Sequence, residues 1–406
     1  MKSHHFSAAL CSFSLLCSAL PICTSPVYAA DETTSDKLSV SSLVQLTKYL
    51  LRKDTLTTEQ VAQLDLSADG ICNVLDCMLL KRTLLTPEPQ SVISVSSVEE
   101  LFPAIRNAQP GDIIQVAAGT YDYTGYQGAQ KIDTNASGTA DAPITLTAAD
   151  PKNPPVFTGS SPENGYVLQI TGDYWIVEHI CFQNSQKGIV LDTSNYTILR
   201  NCEISHTGSE AVALRDGSSY CKVLDCSIHD AGLVTPGYGE GVYIGSSYTV
   251  FGFDYKCDYN VVDGCTFKNI AAEHVDVKEY TTGTEIANCT FYGDGMTGEN
   301  YAGSFLDIAG NDCYVHDNTG YRNGNRNIVA AFELHEQVDG WGYDAVFENN
   351  TLYMDQEYGE MDPNRRMYVV DGWFSRFTVK NNQVDYGNGL QDALPEYYNS
   401  DFVTFS

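Results

Sequence analysis

Glu273, His274, Asp276 and Lys278 fall within six residues of one another, in the stretch AEHVDVKEYTTGTEIANCTF. The run HVDVK alternates polar and apolar residues as a half-buried strand does, which puts its odd-numbered places on one face. Carboxylate oxygens can hold a hard cation. An amine whose pKa is lowered by nearby positive charge and partial desolvation can take a proton from a weak carbon acid. The plain alternative is a salt bridge from Lys278 to Asp276 or Asp307.

These residues need an element that repeats. Short strands recur as GIVLD (from Gly188), AVALR (Ala211), GVYIG (Gly241), HVDVK (His274), FLDIA (Phe305), AFELH (Ala331) and MYVVD (Met367). Downstream lie the tags NCEIS (Asn201), DCSIH (Asp225), GCTFK (Gly264) and NCTFY (Asn288), then NNTLY (Asn349) and NNQVD (Asn381). The tags are 24 residues apart where no loop intrudes. Repeats of that length with three short strands each describe a solenoid whose coils bury one another. Cys202, Cys226, Cys265 and Cys289 then stack as a free-thiol ladder at ~4.8 Å spacing.

Stacking the strands gives columns. The third place reads Val190, Ala213, Tyr243, Asp276, Asp307, Glu333, Val369, and the fifth Asp192, Arg215, Gly245, Lys278, Ala309, His335, Asp371. Both are expected to face solvent. One step before the strands run Lys187, Glu210, Glu240 and Glu273. Three glutamates on adjacent coils repel unless protonated or bridged, and their hard oxygens suit Ca²⁺. A cation beside a lysine base is what removal of a proton α to a carboxylate requires.

The whole chain limits the partners. Its net charge is -29, with 52 acidic against 23 basic residues, which argues against nucleic acid or an anionic membrane. An anionic polymer would need a bridging cation or a local basic patch. Residues 1–29 read as a secretory signal peptide, and no later run approaches the ~20 apolar residues of a spanning helix. Residues 31–85 have helical periodicity and contain DLSADGICNVLD. There Asp65, Ser67, Asp69, Asn73 and Asp76 take the oxygen-ligand places of an EF-hand-type Ca²⁺ loop, with Gly70 at the turn and Ile71 offering its carbonyl. An earlier copy from Asp31 has Ser35, Asp36 and Ser42 at key places and is expected to bind Ca²⁺ poorly. Residues 86–91 form a linker.

Two such loop–helix units resemble a type I dockerin module, which implies docking onto a cohesin-bearing scaffold in a secreted, cellulosome-type complex. From Val92, SVEELFPAIRNAQPGDIIQVAAGTYDYTG is similar to the N-terminal cap and first coil of parallel β-helix polysaccharide lyases. AEHVDVK followed by TTGTEIANCTF resembles the base-bearing coil of polysaccharide lyase families 9 and 6. The resemblance implies a mainly β chain with a right-handed parallel β-helix over residues 92–406, Lys278 as base, and Glu240 and Glu273 as Ca²⁺ ligands beside Glu210. The next strand, FLDIAGN, lacks the RHG-like arginine of family 6, so either Arg215 or His335 takes the acid or charge-neutralising role or the substrate differs. Asp276 completes the catalytic set, while Tyr243, Asp307, Glu333 and His274 contact sugar. The implied activity is Ca²⁺-assisted β-elimination of an acidic, pectin-like plant cell-wall polysaccharide by a monomeric catalytic domain. The competing readings are a glycoside hydrolase using the Asp276, Asp307 and Glu333 carboxyls, and a non-catalytic carbohydrate-binding β-helix with aromatics in SSYTVFGFDYKCDY and VDGWGYD.

Overall fold

The computed structural model describes residues 40–85, 91–355, 368–373, 376–387, 389–392 and 403–405. The signal peptide, nearly all of the first acidic loop and residues 86–90 of the linker lie outside the described residues. The chain divides into two units, Met1–Thr86 and Pro87–Ser406. Among the described residues no helix is long and apolar enough to cross a membrane.

Among the described residues the first unit holds three helices, Val40–Leu50, Thr58–Leu64 and Val74–Leu85. Thr57 opens the second with a capping box, its hydroxyl accepting the Gln60 N–H while the Gln60 side chain accepts the Thr57 N–H, which satisfies two otherwise orphaned donors. Leu46, Leu64, Cys72 and Leu80 form a small core.

The second unit is a solenoid of three parallel sheets, of twelve, nine and eleven described strands, in which each strand pairs with the corresponding strand of the next coil. Nearly every pairing is parallel, and the antiparallel exception joins Gln383–Asp385 to Leu390–Asp392 at the C-terminal end. Three- to six-residue strands survive here because like residues stack in register. Ile204, Ile228, Phe267 and Phe291 follow one another through the eleven-stranded sheet, all buried. The helix Val98–Arg106, capped by Ser97, buries Leu101, Phe102 and Ile105 and closes the N-terminal end of the core.

The thiol ladder forms. Cys202, Cys226, Cys265 and Cys289 are buried and free, and the strands that follow them pair in register. Cys202 donates to the Val177 carbonyl and Cys289 to that of Val262. Beyond Cys289 asparagines take over, one coil earlier than the NN tags suggest. Asn318 Oδ1 accepts the Cys289 N–H at 2.9 Å, Asn318 Nδ2 donates to Asn350 at 3.0 Å and Asn350 Nδ2 to Asn382 at 2.8 Å. Each amide spans one coil spacing, which a thiol cannot do with a strong bond.

One register differs from the sequence reading. Glu333 pairs with Asp371 and His335 with Trp373, not with Val369 and Asp371. The slip is two residues, so the alternation of faces is preserved.

Candidate active-site groove

The nine-stranded sheet carries the chemistry. Tyr243, Asp276, Asp307 and Glu333 are direct neighbours on consecutive strands, as the columns require. Three chain segments rise beside them. On one side Tyr248, Thr249, Val250 and Phe253 belong to the long insert; on the other stand Tyr238, Asn300 and Tyr301. Together they bound a groove of about 890 Å³, floored by Glu240, Tyr243, Glu273, Asp276, Lys278 and Asp307 and reaching from Glu210 and Arg215 to His335.

The first wall is tied down by the buried Glu279 carboxylate, which accepts the Tyr248 N–H. The second is held by Asn300 Nδ2 donating to the Gly237 carbonyl at 3.0 Å. Tyr301, 93% exposed, is lifted over the groove by positive φ at Gly298, Asn300 and Tyr301. Tyr238, Asn300 and Tyr301 escape the sequence reading because they sit in inserts outside the repeat. Among the insert aromatics, Tyr255 and Trp341 pack on Tyr280 instead of opening to the groove.

The walls change what the floor is. The third-place column was expected to be solvated, yet Asp276 is 2% exposed and Val190 and Ala213 are fully buried. Lys278 Nζ lies 2.7 Å from Asp276 Oδ2 and 5.5 Å from the Tyr243 ring centre. Burial favours the neutral amine, but Asp276 and Asp307 outweigh it and hold the Lys278 pKa well above its ordinary value. The salt bridge weighed from the sequence is therefore present. Gly245 makes room for this side chain, since a Cβ there would stand 2.8 Å from Lys278 Cβ, at φ +109°.

The glutamate column is only partly as expected. Glu210 is taken by Lys187 in a close ion pair; burial works against its charge, but Lys187 prevails and lowers its pKa. Asp276 replaces it, and Glu240, Glu273 and Asp276 bring ligand oxygens within 4.8 Å of one another. Burial, then Asp276 and Glu210, push Glu240 up to about 8. Burial, then Asp307, raises Glu273 strongly. Burial lifts Asp276 to about 7 against the pull of Lys278. Glu240 Oε2 and Asp276 Oδ1 are buried without a hydrogen-bond partner. Three hard carboxyls, two of them with an orphaned oxygen, are a donor set that fits Ca²⁺.

Two further residues need comment. His335 Nδ1 is 3.2 Å from Asp307 Oδ1 and 3.8 Å from Glu333 Oε1. Burial disfavours its charge, yet Asp307 wins and the imidazole pKa is raised. His274 is not a groove residue. It is fully buried among Phe267, Phe291 and Phe305, donates from Nε2 to the Tyr292 carbonyl at 2.9 Å, and is depressed to about 4 by burial. Arg215 marks the far end, its Nε and Nη2 each 3.0 Å from Asp192.

In the N-terminal unit, Asp65, Asp69 and Asp76 also converge within 4.8 Å. Asp76 is buried and accepts the Ser67 and Asn73 N–H groups at 2.8 Å each, and Asp65 accepts that of Gly70 at 2.7 Å. Asn73 Nδ2 donates to the Ile71 carbonyl at 3.1 Å.

The family described as Pel9A-like, right handed beta helix region, matches residues 90–296. Among solved structures, the chain is 39% identical to an alginate lyase from Paenibacillus sp. str. FPU-7, with a TM-score of 0.70 over 77% of this chain and 99% of that one. Pectate lyase Pel9A is 17% identical with a TM-score of 0.52, covering 79% of this chain and 82% of that one. A rhamnogalacturonan lyase is 15% identical with the same TM-score, covering 78% and 87%. At those lower identities the likeness is one of fold. No curated protein matches the chain.

Proposed function

Given that the chain belongs to the Pel9A-like right-handed β-helix family, we propose that it is a polysaccharide lyase that breaks a uronate polymer by β-elimination. The observation that carries this is Lys278 at the groove floor, between the Tyr243 ring and a set of buried carboxyls. The 39% identity to an alginate lyase makes alginate the first substrate to try. The pectin-like polymer implied by the sequence comes second.

In such an elimination the C5–H bond, α to the uronate carboxylate, is broken by a base. Its electrons form the C4–C5 double bond, and the glycosidic oxygen leaves C4 and takes a proton. Lys278 is the amine in position to receive the C5 proton, once it has lost its own. Tyr243, kept protonated by burial and by Asp276, is a donor for the departing oxygen, a role beyond the sugar contact assigned from the sequence. Arg215 and His335 bring positive charge to the two ends of an acidic groove. Glu240, Glu273 and Asp276 would hold a Ca²⁺, which when bound supplies Lewis-acid stabilisation of charge building on the substrate carboxylate. In this reading Asp307 and Glu333, which line the groove, contact the sugar.

The test is ultraviolet absorbance of unsaturated uronide on alginate, pectate and rhamnogalacturonan, with and without chelator. An increase on one of them supports the reading. Release of reducing ends with no absorbance would instead favour hydrolysis by the in-register Asp276, Asp307 and Glu333. Absence of both from all three polymers would leave a binding protein.

For the N-terminal unit we propose Ca²⁺-dependent docking to a cohesin-type partner, in a secreted complex. Support comes from the converging Asp65, Asp69 and Asp76 and from exposed Ile71, Val74, Leu75 and Met78 beside them in the chain. Asp65→Ala with Asp69→Ala should abolish docking and leave soluble turnover intact. Full docking by that double variant would sink the proposal.

A further inference from the structure

The face of the nine-stranded sheet continues past the groove toward the N-terminal coils, and its electrostatic character changes there. The Arg215 guanidinium carbon lies 5.9 Å from the Tyr166 ring centre and 5.4 Å from that of Phe253. Lys131 Nζ lies 5.8 Å from the same Tyr166 ring. Both cations are fixed through one chain of hydrogen bonds. Lys131 donates to Gln169 Oε1, Gln169 Nε2 donates to Asp192 Oδ2 at 2.6 Å, and Arg215 forks onto Asp192. Two cations against one carboxylate leave this patch positive. The groove floor differs, with five carboxyls (Glu240, Glu273, Asp276, Asp307, Glu333) around Lys278 and His335, three of which are held protonated toward neutrality by burial and by one another.

We infer that Lys131, Tyr166 and Arg215 form a distal subsite for a carboxylate-bearing sugar of the polymer being cleaved. The inference rests on the lyase reading. A tyrosine ring held between an ammonium and a guanidinium sets two countercharges beside one aromatic group. In a chain this acidic, that combination selects a uronate over a neutral sugar. The order of paired strands puts the Lys131 coil five steps from the Lys278 coil, or ~24 Å at ~4.8 Å per step. A pyranose unit in an extended polymer is about as long as one such step. The polymer therefore runs from the site of cleavage back over the N-terminal coils, away from the acidic end at Glu333 and Glu336; Arg215 is two steps away, and only chains of roughly six sugars or more reach the Lys131 coil.

The experiment compares wild type, Lys131→Gln and Lys131→Glu on alginate oligomers from trimer to octamer. Lys131→Gln removes the charge while keeping a donor for Gln169. Wild-type KM should fall with length and level off near the spanning length. Lys131→Glu should raise KM for the octamer by about fivefold, which is ~1 kcal/mol, and leave trimer kinetics, octamer kcat and melting temperature unchanged. The octamer effect should shrink at high salt, since exposed charges are screened. Unchanged length dependence in Lys131→Glu, or an equal loss on trimer and octamer, overturns the subsite. If wild type eliminates nothing from any uronate, the lyase reading falls by itself. Calorimetric binding of the octamer then decides the subsite, which equal affinity of wild type and Lys131→Glu would overturn.

Discussion

Titrating the folded protein with and without Ca²⁺ puts the buried acids of the groove under direct test. In the folded state Glu240 is lifted from 4.5 to about 8, chiefly by burial and then by Asp276 and Glu210, and Asp276 from 3.8 to about 7 by burial. A carboxyl with a raised folded-state pKa keeps a proton that the unfolded chain releases. Its contribution is fully present below about pH 4 and is lost as pH climbs through the folded value, so the window runs from about pH 4 to about pH 8. Raising one such group from 4.5 to about 8 corresponds to ~5 kcal/mol at ~1.4 kcal/mol per pKa unit. The three carboxyls repel one another and release protons as a set, so ~5 kcal/mol is the scale for the trio rather than for each member. That is comparable with the whole stability of an ordinary domain, about 5–15 kcal/mol. Urea midpoints followed by circular dichroism in chelator should therefore fall steadily between about pH 5 and about pH 8. Saturating Ca²⁺ should flatten the profile, because a ligand of the ionised trio stabilises only the folded form. Glu240→Gln should lessen the fall without Ca²⁺, leaving the share of Glu273 and Asp276, and should remove most of the Ca²⁺ response that the groove contributes. A midpoint that is flat or rises with pH in chelator would refute the argument, as would a Ca²⁺ response that survives Glu240→Gln in a chain whose N-terminal cluster is removed by Asp65→Ala with Asp69→Ala.

Other outcomes follow from the same geometry. Lys278→Ala should lower kcat by about 10²–10⁴-fold with little change in KM, because a base acts in the transition state; wild-type turnover would make the lysine a salt-bridge partner only. With the Lys278 pKa raised, wild-type activity should climb toward alkaline pH, and Asp276→Asn should move the rise to lower pH; an unmoved limb would separate it from Lys278. Gly245→Ala, which meets Lys278 Cβ at 2.8 Å at φ +109°, should cut turnover and destabilise the fold by ~1 kcal/mol or more, read together by kinetics and melting. Asn350→Ala breaks the amide ladder at both ends and should cost ~1–3 kcal/mol in unfolding free energy, whereas the buried thiols of Cys202 and Cys226 should stay unreactive until the chain unfolds.

The repeat made the columns readable without coordinates. In a solenoid each strand pairs with its counterpart one coil away, so a sequence offset becomes a spatial neighbour. Tyr243, Asp276, Asp307 and Glu333 therefore line up as their places in the repeat dictate. The thiol ladder is legible for the same reason. Where the spacing is stretched by inserts the register can slip, as it does by two residues at Tyr368–Trp373.

The fate of the first-place column was also partly written in the chain. It reads Gly188, Ala211, Gly241, His274, Phe305 and Ala331, small or apolar apart from the histidine. A Cβ on Gly188 would meet the Ala211 carbonyl oxygen at 2.4 Å, and one on Gly241 the His274 carbonyl oxygen at 2.5 Å, which marks a tight, inward corner. Strict alternation sends His274 outward. The corner turns it into the phenylalanine core, because the backbone between two sheets of a coil is not a continuous strand.

Charge state was decided by tertiary structure alone. The residue types of HVDVK and its neighbours were enough to nominate Lys278, Glu240 and Glu273. Whether those groups are ionised depends on how much water reaches them and which charges stand nearby. The walls that govern water access come from insert residues outside the period of the repeat. They turn a solvated acidic face into a floor where Glu240 and Asp276 hold protons near neutrality and Lys278 keeps its own. Periodicity transmits position from coil to coil, but desolvation is set by the aperiodic segments that fold over it.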